Sequence, residues 1–213
     1  DWAGKLVCAV SDDDGATWRL SGKPIATCDA AGKRLSTQEP GIVQLKDGRL
    51  LMYARTDRGR QWFYYSSDDG DSWTKGEPGT LWGPLAPATV KRLANGDLVA
   101  VWNDHETSPE FAKAGPAWAK GARRPLSIAV SRDEGRTWVH RHTLEDKDDG
   151  WFCYFGVLEH EGNLLLGYCA EKMLRHARLM RVPLAWLYDE EPADGKGMES
   201  PESRYLLTKW RKD

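Results

Sequence analysis

Short apolar, β-rich runs broken by polar turns recur along the whole chain, with no helical segment between them. Three of the runs, LVCAVS (6–11), WFYYSS (62–67) and LSIAVS (126–131), lead into nearly the same polar stretch: SDDDGATW (11–18), SSDDGDSW (66–73) and SRDEGRTW (131–138). After each stretch the Trp opens another short run. Strand, turn, strand is the pattern this predicts, so each stretch reads as a hairpin connection.

The residue types suit that job. Asp13, Asp68 and Asp133 can accept hydrogen bonds from nearby backbone N–H groups. Gly15, Gly70 and Gly135 supply a position where φ can turn positive. The Ser and Thr hydroxyls can bond locally. Trp18, Trp73 and Trp138 can pack between neighbouring sheets. A calcium-loop reading fails, because the flanks are strands and the bidentate Glu that closes an EF-hand loop is missing.

Further strands precede each turn. PGIVQL (40–45), GRLLMYAR (48–55) and QWFYYS (61–66) form one meander. PATVKRL (87–93) and DLVAVW (97–102) precede the run at 125–131. CYFGVL (153–158) and NLLLGYC (163–169) precede LRHARLMRV (174–182). Repeated four-stranded antiparallel units predict an all-β chain, a β-propeller of about three and a half blades. They divide the chain into propeller (1–190) and a polar tail (191–213). Within the tail, RYLLTKW is either a short strand or a helix end.

Strand polarity sorts the chemistry. In a four-stranded meander the second strand ends on the face where the first and third begin, and the third-to-fourth turns lie on the other. Glu39, Arg55, Asp57, Arg58, Asp104, Arg123, Arg124 and Tyr154 therefore share one face, opposite the three repeated turns. Singly, a strand-end Arg or a pre-strand Glu is a solvated charge, and Tyr154 is equally a core aromatic. Together they have a meaning. Arginines converging from different blades fit a carboxylate, which the guanidinium fork binds through two parallel bonds. A Tyr beside a Glu can become a nucleophile, and glycosidases acting on anionic sugars use this pair in place of two carboxylates.

Composition changes little. With 213 residues, a net charge of −2 and no long apolar run, the chain gives no reason to expect nucleic acid, an acidic membrane surface or a membrane span as partner. Cys8, Cys28, Cys153 and Cys169 have no CxxC or other metal spacing, and read as buried thiols or as one or two disulfides. No metal or other cofactor is implied.

At this point the chain resembles the sialidase (neuraminidase) superfamily of Asp-box (BNR-repeat) six-bladed propellers. The three turns resemble Asp boxes. EPGIVQLKDGRLLMYAR resembles the segment with the Glu that partners the nucleophile and the second arginine of a triad, which implies Glu39 and Arg55. RRPLSIAVSRDEGRTW resembles the segment with the third arginine, implying Arg123, with Arg124 as second choice. CYFGVLEHEGNLLLGY resembles the nucleophile segment, implying Tyr154. The resemblance covers nearly all of 5–182 and points to the C-terminal blades of such an enzyme. The segments carrying the first arginine and the acid/base Asp are not found in this sequence. The expected activity is that of a retaining exo-α-sialidase-like glycoside hydrolase, with sialic acid or a related acidic sugar of glycoconjugates as partner. Without the acid/base, the 213-residue chain is expected to have little or no turnover.

Two alternatives stay open: a non-catalytic Asp-box propeller that binds glycan or protein, and a glycosidase or lyase for another acidic sugar. Asp104 could stand in as the acid, Trp118 and Phe111 could line a sugar pocket, and Asp57 and Arg58 could tune its rim. An open propeller leaves strand edges unpaired, so self-association or a further N-terminal segment is expected. No signal region is visible, though a secreted or periplasmic place would suit a glycan-degrading enzyme.

Overall fold

The computed structural model describes residues 5–107, 121–171, 176–189 and 205–206. They form an all-β structure of one small and three larger antiparallel sheets, each a simple meander. The small sheet pairs β1 (Ala9–Val10) with β2 (Arg19–Leu20). The next holds β3 (Thr37–Gln44), β4 (Leu50–Thr56), β5 (Arg60–Ser66) and β6 (Glu77–Trp82) in that order. The third holds β7 (Thr89–Arg92), β8 (Leu98–Asn103), β9 (Leu126–Ser131) and β10 (Val139–Glu145). The last holds β11 (Gly150–His160), β12 (Asn163–Glu171), β13 (Ala177–Pro183) and β14 (Tyr205–Leu206), with the short helix α1 (Leu184–Leu187) after β13. The expected three and a half propeller blades are present, and the tail contributes a strand, β14.

The sheets are stacked, and their faces make the core. Val43, Leu51, Tyr53 and Phe63 pack on Val90, Leu98, Ala100 and Trp102. Val99, Val101, Ile128 and Val130 pack on Phe152, Val157, Leu164 and Leu166. Every residue of β8 and β9 is buried, because both faces of that sheet are covered, which explains why LVAVW and LSIAV read as continuous apolar runs rather than as alternation. On the far side, Met52, Trp62 and Tyr64 pack on Leu6, Ile25 and Leu35.

The three repeated turns share one bonding scheme. Ser11, Ser66 and Ser131 each donate to the Asp two residues on and accept from the Gly four residues on. Each Asp accepts from the backbone N–H and hydroxyl of the following Thr17, Ser72 or Thr137. Gly15, Gly70 and Gly135 have φ of 87°, 94° and 83°, the left-handed region that glycine enters at no steric cost. These bonds hold the acids as carboxylates: Thr17 draws Asp13 below the usual carboxylate range, and Ser72 draws Asp68 down to about 2.

Candidate active site

On the opposite face, two first strands are interrupted at corresponding places. In β3 the pairing jumps from Gln38–Arg55 to Gly41–Tyr53, so Glu39 and Pro40 face one residue of β4. In β11 it jumps from Cys153–Cys169 to Gly156–Gly167, so Tyr154 and Phe155 face one residue of β12. Each is a β-bulge, and each begins with a non-glycine residue at positive φ: 48° for Glu39 and 58° for Tyr154. Bulges re-aim a side chain, and a left-handed non-glycine backbone is a strain that the surrounding structure has to impose. Pro40 suits its place, since a bulge leaves a residue outside the ladder and no N–H is lost there. Gly41 is required by packing: a Cβ there would lie 2.2 Å from the hydroxyl oxygen of Tyr53, whose ring passes beneath the bulge. That hydroxyl accepts from Val90 N at 2.9 Å, which ties the bulge to the next sheet.

The two bulges point their side chains at one another. Tyr154 donates its hydroxyl to Glu39 Oε1 at 3.2 Å. Glu39 Oε2 lies 3.0 Å from Arg55 Nη1, so the carboxylate divides its two oxygens between a phenol and a guanidinium. Arg55 also donates from Nη2 to Gln38 Oε1. Its Nη1 and Nε are buried and make no hydrogen bond among the described residues, the Nη1–Glu39 contact being off the line of one. Burial pushes the Arg55 guanidinium below arginine's usual value; Glu39 opposes this and Arg123 adds to it. Two cations that repel each other beside unspent N–H groups make a place where an anion is favoured.

Arg123 is brought in from the sheet between the two bulges. Its carbonyl accepts from Phe152 N at 2.9 Å, which fixes it beside β11. Its guanidinium carbon lies 4.9 Å from the centre of the Trp151 ring and 5.9 Å from that of Tyr154. Cys153, fully buried, stands next to it. Burial pushes that thiol up, while the charge of Arg123 and a hydrogen bond with it act in the other direction.

The structure thus brings together Glu39, Arg55, Arg123 and Tyr154. Arg124 turns away, pairing with Asp146 at 3.1 Å and Asp148 at 3.5 Å. Asp57 accepts from Ser36 N at 3.2 Å, and Arg58 donates to Arg34 O at 3.2 Å, so both brace the preceding loop. Asp104 is buried, and its carboxylate accepts from Glu106 N, Thr107 Oγ1 and Arg141 Nη1, which makes it an anchor inside its own loop. Trp118 and Phe111 lie outside the described residues. Gln38, Trp151 and Cys153 escaped sequence reasoning. The one signal available was their adjacency to Glu39 and Tyr154, and adjacency in a regular strand would have sent them to the other face. A cavity of about 600 Å³ lined by Asp29, Trp62, Lys75 and Glu77 lies elsewhere and includes none of these groups. Among the described residues no cluster of His, Cys, Asp and Glu could hold a metal ion, and no helix is long and apolar enough to cross a membrane.

Comparison with known proteins agrees with this architecture. Residues 3–179 match the BNR repeat-like domain. No curated protein matches the chain. Among solved structures, the NanB sialidase of Streptococcus pneumoniae is 17% identical with a TM-score of 0.58, over 80% of this chain and 25% of that one. The intramolecular trans-sialidase of Ruminococcus gnavus is 17% identical with a TM-score of 0.58, over 84% and 38%. The Trypanosoma rangeli sialidase, in complex with 2,3-difluorosialic acid as a covalent intermediate, is 17% identical with a TM-score of 0.58, over 86% and 27%. At such identities the likeness is one of fold. The chain spans between a quarter and two fifths of the length of these relatives.

Proposed function

We propose that this chain, which belongs to the BNR repeat-like domain family and has the sialidase fold, carries the carboxylate-binding and nucleophilic groups of a site for sialic acid or a related acidic sugar. The observation that carries the proposal is the hydrogen bond between Tyr154 and Glu39, 115 residues apart, each re-aimed by a bulge. A satisfied core tyrosine would not need a strained backbone at both ends of its bond.

The chemistry follows from the groups present. The sugar carboxylate sits between Arg55 and Arg123 and relieves the repulsion between the two cations. Tyr154 oxygen attacks the anomeric carbon while its proton passes to Glu39 Oε1, and the bond to the leaving oxygen breaks. A neutral phenol can approach an anionic sugar that would repel a carboxylate nucleophile. Arg55 holds the other oxygen of Glu39 and so keeps its free lone pairs toward Tyr154. Water then hydrolyses the glycosyl-tyrosine with net retention. The leaving oxygen needs a proton from a further acid, and Asp104 is committed to its own loop.

The test is to titrate N-acetylneuraminic acid into the full chain and two variants. Arg123→Ala should weaken binding by about 10- to 100-fold, the scale for losing one arm of a charge-assisted pair. Tyr154→Phe should bind within about twofold of the parent, because it loses one O–H that faces Glu39. Absence of binding, or equal binding by Arg123→Ala, would overturn the proposal. Binding that never leads to chemistry on a fluorogenic sialoside or on a reactive sugar would favour a glycan-binding role for the same site.

A further inference from the structure

We propose that Cys153 and Cys169 are a thiol pair whose oxidation to a disulfide switches the site off, an inference that rests on the proposed role of Arg123 and Tyr154. The two residues are directly opposed on β11 and β12, so their side chains leave the same face of the sheet. Opposed residues of an antiparallel pair have Cα atoms about 4.5–5.5 Å apart, inside the span of about 4.4–6.8 Å that a disulfide bridges. Both are free thiols, Cys153 fully buried and Cys169 partly exposed.

Their place in the strand gives the pair its leverage. On β11 the register jumps between Gly150 and Cys153 and again between Cys153 and Gly156. Cys153 is therefore the one paired position between two consecutive bulges. The first bulge carries Trp151 and the second carries Tyr154, the two rings that flank Arg123. Arg123 is also tied to the residue just before Cys153, its carbonyl accepting from Phe152 N at 2.9 Å. A bond from the Cys153 sulfur to Cys169 fixes the Cys153 side chain between the two bulges and changes how Trp151 and Tyr154 hold Arg123.

The oxidant is a hydroperoxide, and the exposure of the two thiols sets the order. Cys169 sulfur attacks the outer peroxide oxygen, which leaves a sulfenic acid and, with hydrogen peroxide, one water. Cys153 sulfur then attacks Cys169 sulfur and expels a second water. Two thiols and one peroxide become one disulfide and two waters. A thiol reductant reverses it.

The experiment treats the reduced full chain with stoichiometric hydrogen peroxide. The expected product is lighter by about 2 Da and yields a cross-linked peptide joining positions 153 and 169. Its affinity for N-acetylneuraminic acid should fall by about tenfold or more and recover with dithiothreitol. Cys169→Ser should keep the reduced affinity and become insensitive to peroxide. Oxygen added without a 153–169 link, or a linked chain with unchanged affinity, overturns the switch. If even the reduced chain binds no sugar, the proposed function fails. The cross-linked peptide, and slowed hydrogen exchange over residues 151–156, then decide the switch separately: neither appearing overturns it.

Discussion

The two ends of the stacked sheets use acidic residues in opposite ways. At the turn end, Asp13, Asp68 and Asp133 each satisfy their own loop, and the bonding is nearly identical in all three copies. At the other end, Glu39 reaches out of its own sheet to Tyr154 and Arg55, from a backbone held at positive φ. The Ser–Asp–Gly bonding at the turn end is locally complete and repeats. Both ends hold non-glycine residues at positive φ, Asp14, Asp69 and Glu134 in the turns and Glu39 and Tyr154 at the site, but the site end is assembled from three sheets and keeps buried donors unspent. Runs of acids in this chain therefore mark scaffold, while the site rests on the facing bulges of β3 and β11.

The comparison breaks first at Trp138. The turn scheme is shared, but the burial of its Trp is not: Trp18 is 66% exposed and Trp138 only 7%. The indole N–H of Trp18 bonds within its own turn to Gly15 O, whereas that of Trp138 bonds to Thr80 of the neighbouring sheet, and Thr80 in turn donates to Gly135 O. Trp138→Ala should destabilise by about 3–5 kcal/mol, the cost of emptying a packed aromatic site. Trp18→Ala should stay within about 0.5 kcal/mol. Chemical denaturation of the two variants checks this, and equal losses would mean that the motif, rather than its packing, carries the stability.

A smaller effect tests one left-handed position at each end. A Cβ on Gly135 would meet nothing closer than 3.8 Å, so Gly135→Ala pays in conformation alone, about 1–2 kcal/mol. Tyr154→Gly works in reverse: it relieves a left-handed non-glycine residue whose side chain is 47% exposed, and should leave stability unchanged or raise it by about 1 kcal/mol. A large loss for Tyr154→Gly would mean that Tyr154 is a packing residue. Melting curves of both variants decide it.

Much of this was legible in the chain. Blade count and turn position followed from apolar runs and from Ser-x-Asp-x-Gly-x-(Ser/Thr)-Trp, because these depend on local bonding. The grouping of Glu39, Arg55, Arg123 and Tyr154 on one face followed from strand polarity. The bulges did not, because nothing in TQEPG or CYFG states which residue will face two on the partner strand. Without the bulges the contacts of Gln38, Trp151 and Cys153 could not be placed. Nor could the inward turn of Asp104, which depends on Arg141 from a distant strand.

The smallest expected effect is on acid stability. Asp68 titrates at about 2 in the folded chain against 3.8 for an ordinary Asp, so its stabilisation is complete above about pH 4 and is lost as pH falls through about 2. The gap in melting temperature between the parent and Asp68→Asn should close over that window. A constant gap would mean the turn does not depend on the carboxylate's charge.

The central proposal is that Tyr154, with Glu39 as base, is a nucleophile. The most direct measurement is incubation with 2,3-difluorosialic acid followed by peptide mass spectrometry, because fluoride departs without the proton that an ordinary leaving oxygen needs. The expected result is one sugar attached to Tyr154, absent in Tyr154→Phe and strongly slowed in Glu39→Gln. No adduct, or an adduct on another residue that persists in Tyr154→Phe, would contradict it.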